Sequence, residues 1–161
     1  MKKLSLVLFL ALTSLSLHAE DFISLGKTHG EGREFYLFKG EADGVDTLVI
    51  SATKRPEDGK SVAAEYVMET FLRVLPLKFK GNEKIYFVSI WGKGAHGEQV
   101  RILDPSKDEM EVARFKSSWA VTLKVEDSKL IISGKGDSIE SKEGEAPPFL
   151  EYKDLIQTWS P

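Results

Sequence analysis

The sequence has 161 residues and a formal charge of −3 at pH 7, from 22 Lys and Arg against 25 Asp and Glu. No segment concentrates Lys and Arg into a phosphate-binding surface, which argues against nucleic acid as a partner. Cysteine is absent, and this excludes thiol catalysis, thiolate metal sites and a lipid anchor on an N-terminal cysteine. The length suits one domain with a single core.

The N-terminal segment has the pattern of a bacterial secretory signal peptide. Two lysines precede an apolar run over 4–17, and Ala19 supplies the small residue before a cleavage site. The run is shorter than the ~20 residues that span a bilayer, which disfavours the alternative of an uncleaved anchor. We therefore expect a signal peptide at 1–19 and one globular domain at 20–161. The mature protein is expected to be periplasmic or secreted, with no membrane span and a formal charge of −5 once the two lysines are removed.

The first hairpin is predicted shortly after the signal peptide. Arg33–Lys39 is rich in aromatic residues, and Asp46–Lys54 alternates apolar and polar side chains. The segment 40–44 between them contains two glycines and an aspartate, which are typical turn residues. We expect the two strands to pair antiparallel.

The segment from Gly59 to about Leu75 is predicted to form one long helix. Pro76 removes a backbone donor and restricts the preceding residue, so the helix is expected to end there. Apolar side chains recur at helical spacing along the segment, at Ala63, Tyr66, Val67, Phe71 and Val74. On this helix Glu65 and Glu69 would share a polar face, where we expect both to be exposed to solvent.

Strands are predicted through the following fifty residues. Lys84–Trp91 is apolar on both faces, which is typical of a central strand that is covered on both sides. Gln99–Leu103 and Glu109–Phe115 are further strands. Ser118–Val125 alternates in polarity and, with 130–132, predicts a second hairpin.

The C-terminal part is predicted to contain a loop and a short helix. Gly134–Pro148 is rich in Gly, Ser and charged residues, which favours a loop. Phe149–Trp159 has aromatic and apolar residues at helical spacing. The predicted fold class is therefore α+β: a mostly antiparallel sheet of about six to seven strands packed on one long helix, with a short C-terminal helix.

One tripeptide occurs twice, and it contains the only histidines outside the signal peptide. His29 and Glu31 flank a glycine, as do His96 and Glu98. In an extended chain, residues two apart point to the same side, so each pair can aim an imidazole and a carboxylate at one point. Together the four side chains predict a site for Zn²⁺ or a similar ion. The alternative is that each pair is a solvated turn.

A second candidate site follows the predicted central strand. Lys93 stands between two glycines, and such a segment can cradle an anion through its backbone N–H groups. The spacing of a phosphate-binding P-loop is absent. If the segment binds a ligand, Trp91 and Lys93 are expected to form the lip of the site. The alternative is a flexible hairpin connection.

No catalytic constellation emerges from the sequence, and the Gly-x-Ser-x-Gly elbow of serine hydrolases is absent. Whether the protein is an enzyme stays open. The sequence favours an exported, non-catalytic binding or protein-interaction module without a resident cofactor, whose partner is an envelope protein or a small ligand. The alternative is a metal-binding protein or metal-dependent hydrolase that holds Zn²⁺ through the two His-Gly-Glu segments, with one glutamate as general base.

Overall fold

The computed structural model describes residues 22–138 and 152–161, and the regular structure in this part of the chain is almost entirely β-strand. The expected signal peptide lies outside the described residues. In the described ranges, one 3-10 turn occurs at Pro56–Asp58, and no helix there is long and apolar enough to cross a bilayer. The strands are β1 (Ile23–Gly30), β2 (Arg33–Ala42), β3 (Val45–Ser51), β4 (Lys60–Ala63), β5 (Glu69–Lys78), β6 (Ile85–Lys93), β7 (Gly97–Leu103), β8 (Glu111–Ser117), β9 (Thr122–Glu126), β10 (Lys129–Ser138) and β11 (Tyr152–Trp159).

The strands form three antiparallel sheets. The N-terminal sheet has the order β1-β2-β3-β4, the middle sheet β5-β6-β7-β8 and the C-terminal sheet β11-β10-β9. Two of the hairpin turns have a positive φ at both central residues. The values are 55° at Glu31 and 73° at Gly32 in the first turn, and 53° at Asp43 and 76° at Gly44 in the second. Positive φ at both central residues is the type I′ geometry that matches the twist of paired strands, and glycine adopts it without strain.

The middle sheet is covered on both faces, and β6 contributes to a core on each side. Ile85, Phe87 and Trp91 pack with residues of β2 and β3 in one core. The side chains on the opposite face of β6, including Val88 and Ile90, pack with residues of β7 and β10 in the other core. The prediction of a central strand covered on both sides is confirmed, but the domain has two cores in place of the single core expected.

The predicted α+β class is wrong, because the described residues contain no α-helix. The segment 59–75 is divided among β4, a turn and β5, and β5 pairs with β6 along its length. The helical spacing in this segment has another cause. A β-bulge at Leu72 shifts the register between Phe71 and Arg73, so that Phe71 and Val74 face the same core although they are three residues apart.

Two further expectations about helices are corrected by strand pairing. Pro76 does not end a helix but lies within β5, at the edge of the middle sheet, where a residue without an N–H is tolerated. The predicted C-terminal helix Phe149–Trp159 contains β11, which pairs with β10. Trp159 packs against Phe79 and Tyr86 with ring centroids 6.0 and 5.0 Å apart.

Most of the predicted strands are confirmed with shifted ends. The first hairpin consists of β2 and β3, and the second of β9 and β10. β9 begins at Thr122 and not at Ser118, and Glu109–Phe115 corresponds to β8. In the predicted loop Gly134–Pro148, the part up to Ser138 continues β10, and 139–148 lies outside the described residues.

A buried ion pair joins β5 to β7. Glu69 is 2 % exposed and Arg101 1 %, and Arg101 Nη2 donates to Glu69 Oε1 over 2.6 Å. Gln99 Nε2 donates to the same oxygen over 2.9 Å, and the Arg101 guanidinium lies 4.6 Å from the ring centroid of Trp91. The expectation of an exposed Glu69 was wrong, because on a strand this side chain points into the protein.

Removing one member of the Glu69–Arg101 pair is expected to lower the free energy of unfolding more than removing both members does. Glu69→Leu leaves the buried Arg101 charge with only the more distant Glu111 carboxylate, 3.9 Å from its Nε, as a counter-ion. We expect this variant to lose about 3 kcal/mol in the free energy of unfolding. The double variant Glu69→Leu/Arg101→Met removes both charges and should lose less than Glu69→Leu alone. Urea unfolding of the wild type, Glu69→Leu, Arg101→Met and the double variant measures the coupling energy between the two side chains. If the losses of the two single variants add up to that of the double variant, the expected coupling is contradicted.

The pair of Lys84 and Asp104 is expected to make stability depend on pH. Lys84 Nζ lies 2.7 Å from Asp104 Oδ2, and Ser106 donates from its backbone N–H and its hydroxyl to Oδ1. Burial acts to raise the pKa of Asp104, but these hydrogen bonds outweigh it and hold the pKa below its ordinary value. The resulting stability is present above the unfolded-state pKa of about 3.9 and is lost as the pH falls through the lower folded-state pKa.

Asp104→Asn tests this linkage. We expect the variant to be less stable than the wild type by about 2 kcal/mol at neutral pH, with the difference shrinking as the pH is lowered from about 5 toward 2. Urea unfolding at a series of pH values measures both. A difference that stays constant across this range would show that folding does not lower the pKa of Asp104.

Candidate functional site

The two His-Gly-Glu segments lie at opposite ends of β6. Glu31 Oε1 accepts a hydrogen bond over 3.0 Å from the backbone N–H of Ile85, the first residue of β6. His96 lies in the turn after Lys93, the last residue of that strand. Nine residues of β-strand span about 27 Å. The structure therefore does not bring His29 and His96 together within one chain.

Each glutamate of the repeated tripeptide connects two sheets. Glu31 joins the N-terminal sheet to the middle sheet through Ile85. Glu98 Oε2 accepts a hydrogen bond over 2.8 Å from the N–H of Val121, which precedes β9, and so joins the middle sheet to the C-terminal sheet. Both histidines are exposed. Within 22–138 and 152–161, no group of three or more His, Asp or Glu side chains is arranged to hold a metal ion.

The separation of the two His-Gly-Glu segments predicts that the two histidines do not share a Zn²⁺ ion. Since the two pairs lie at opposite ends of β6, wild type and the double variant His29→Ala/His96→Ala are expected to give indistinguishable isotherms when Zn²⁺ is titrated into each by calorimetry. One-to-one binding at micromolar or tighter affinity that disappears in the double variant would restore the predicted metal site.

Trp91 does not form the lip of a ligand site. Its side chain is fully buried, and its Nε1 donates to Ser89 Oγ over 3.0 Å. Phe71 packs edge-on against it with ring centroids 5.3 Å apart. Trp91 is therefore a core residue, and of the two residues predicted for the lip only Lys93 reaches a cavity.

An open cavity of about 730 Å³ lies where the β6–β7 turn approaches β8, β10 and β11. Three lysines and a histidine give its wall a cationic character. The volume is in the range of small-molecule sites. The lining residues are Lys93, His96, Gly97, Lys116, Ser117, Ser118, Lys135, Gly136 and Leu155.

The lysines of this cavity differ in how their charge is compensated. Lys135 pairs with Asp154 and lowers the pKa of that carboxyl group. Lys93 Nζ lies 5.8 Å from the ring centroid of Tyr66. In the part of the chain that the structure describes, Lys93 and Lys116 have no carboxylate partner. These two ammonium groups therefore supply positive charge to the cavity.

Close packing of β10 against the end of β8 shapes the wall. Ser117 Oγ donates to the carbonyl of Lys135 over 3.1 Å and accepts from the N–H of Lys135 over 2.9 Å. A Cβ on Gly134 would lie only 2.4 Å from Ser117 Oγ, so this approach requires glycine. At the rim, His96 stacks on Trp119 with ring centroids 4.6 Å apart.

Three of the cavity residues, Lys93, His96 and Gly97, belong to segments that the sequence singled out, whereas Lys116 and Lys135 were missed. A signal for Lys135 does exist in the sequence. Gly-Lys-Gly occurs at 92–94 and again at 134–136, and the lysines of both copies line the same cavity. Lys116 has no such motif and is brought to the cavity by the pairing of β8 with β7.

Comparison with family models, with curated proteins and with solved structures finds no match to this chain. The functional argument therefore depends on the cavity and the surface around it.

Proposed function

We propose that this protein is a non-catalytic binding module that holds an anionic ligand in the cavity between its two Gly-Lys-Gly segments. The observation that carries the proposal is the convergence of Lys93, Lys116 and Lys135 on one cavity. The signal peptide expected at 1–19 would make this an exported module, acting in the periplasm or outside the cell. An envelope protein as partner remains the alternative to a small ligand.

The chemistry of the wall supports an anion as the ligand. Lysine ammonium groups bind phosphate and carboxylate as point charges. The glycines beside Lys93 leave the backbone open to close approach, and Gly94 has a φ of 65°. Because the cavity is open to solvent, the affinity is expected to fall as salt is added.

The hydroxyl groups of the cavity support binding over nucleophilic catalysis. A serine nucleophile needs a base that accepts its proton. Ser117 Oγ donates instead to the backbone carbonyl of Lys135, while the neighbouring His96 stacks on Trp119. In this arrangement the serine holds β8 against β10.

Inorganic tripolyphosphate titrated by calorimetry at low ionic strength tests the proposal. We expect one site on the wild type, and at least ~10-fold weaker binding, equivalent to ~1.4 kcal/mol, for Lys93→Met/Lys116→Met. The charge-matched control is Lys80→Met/Lys129→Met, which removes two exposed lysines outside the cavity and should bind as the wild type does. Equal weakening in both variants would show non-specific attraction and overturn the proposal, as would no binding by the wild type.

A further inference from the structure

The turn between β4 and β5 exposes three consecutive large apolar side chains. Tyr66, Val67 and Met68, here called the apolar tip, are 37 %, 79 % and 70 % exposed. Leu72, the bulge residue of β5, is a further exposed apolar side chain, at 49 %. Single exposed apolar residues are common on protein surfaces, but a contiguous group marks a contact surface.

The apolar tip is held in place by hydrogen bonds at both of its ends. Ala64 N–H donates to the carbonyl of Asp46 over 2.8 Å, and Glu69 N–H donates to the carbonyl of Tyr66 over 2.9 Å. The buried Glu69 carboxylate accepts from the N–H of Glu65 over 2.6 Å. The fold therefore displays these side chains from a fixed turn.

The apolar tip adjoins the cationic cavity through Lys93. This lysine is the strand partner of Glu69, the residue that follows the tip, and its ammonium lies near the Tyr66 ring. Trp119, stacked on the cavity residue His96, is a second exposed aromatic side chain at this end of the molecule. Aromatic, apolar and cationic side chains are thus neighbours on one surface.

The carboxylates nearest the apolar tip are paired with arginines of β7 and β8. Glu65 pairs with Arg114, and Glu69 pairs with Arg101. The cations Lys93 and Lys116 have no carboxylate partner in the described ranges. These two lysines therefore supply uncompensated positive charge at the cavity that adjoins the tip, in a sequence whose formal net charge is negative.

We propose that this end of the protein docks on a bilayer that contains anionic phospholipid. Val67 and Met68 enter the interfacial region, and Tyr66 and Trp119 lie at the level of the headgroups, where amphipathic aromatic rings are favoured. Lys93 and Lys116 contact headgroup phosphates. The uncompensated lysines favour this partner over a neutral apolar surface, and the inference rests on the proposed function because the headgroup phosphate uses the same cationic cavity.

Flotation with vesicles tests this membrane contact. We expect the wild type to bind vesicles of phosphatidylcholine mixed with phosphatidylglycerol, and to bind pure phosphatidylcholine vesicles at least ~10-fold more weakly. Val67→Asp/Met68→Asp should lower binding to the anionic vesicles by at least ~10-fold, because it removes apolar contact and adds negative charge. Lys93→Met/Lys116→Met should also weaken it.

Val125→Asp is the matched control. Val125 is 48 % exposed and pairs with Leu130 of β10. On its other side Leu130 pairs with Trp159, which packs on Tyr86 near the start of β6. It therefore lies at the opposite end of the middle sheet, and its variant should bind vesicles as the wild type does. Equal losses in Val125→Asp and in the tip variant would overturn the proposal.

The tripolyphosphate titration separates this inference from the proposed function. Val67→Ser/Met68→Ser, which removes apolar surface from the tip without changing its charge, should keep the affinity of the wild type for tripolyphosphate. The lysine variant should lose affinity for both tripolyphosphate and vesicles. Wild type that binds tripolyphosphate but not anionic vesicles overturns the membrane contact alone. Vesicle binding without tripolyphosphate binding supports the membrane contact and overturns the proposal that the cavity holds a small anionic ligand. A dimer that forms in ultracentrifugation without vesicle binding, and that the tip variant abolishes, assigns the tip to self-association and overturns the proposal.

Discussion

Burial of both faces of β6 is the constraint on which the rest of the structure depends. Residues 85–91 are all buried, and their alternate side chains belong to two different cores. A strand of this kind needs a covering layer on each side, because apolar side chains left in water on either face would forgo the free energy of burial. The N-terminal and C-terminal sheets are those layers, and the three-layer arrangement follows.

The connections between the layers determine what lies at the ends of β6. Glu31 and Glu98 use their carboxylates to hold neighbouring sheets at opposite ends of the strand, which gives the repeated tripeptide a structural role. At the Lys93 end, the β6–β7 turn meets the C-terminal sheet and leaves the cationic cavity between them. The buried pair of Glu69 and Arg101 fixes the neighbouring turn. The cavity and the apolar tip are thus consequences of the same layer packing.

Lys93 links the two proposals, since it lines the cavity and lies beside Tyr66. A cationic cavity next to apolar and aromatic side chains is suited to an amphipathic partner with an anionic group. Uncompensated charge in an open site acts over a Debye length of about 8 Å at physiological salt, so it attracts an anionic surface before contact. Apolar contact is short-ranged and stabilises the complex once it has formed.

Local sequence was sufficient for the β2–β3 and β9–β10 hairpins and for the central strand, because turn residues and the alternation of apolar side chains act over a few residues. It was misleading at 59–75, where the bulge at Leu72 places Phe71 and Val74 on one face at a spacing that a helix also produces. The residues themselves determined the two covered faces of β6 and the type I′ turns. Only the tertiary structure decided that β5 is a strand, because its backbone pairs with β6. Only the tertiary structure brought Lys116 and Lys135 close to Lys93, because side chains on separate strands converge through sheet packing, which local sequence patterns do not specify.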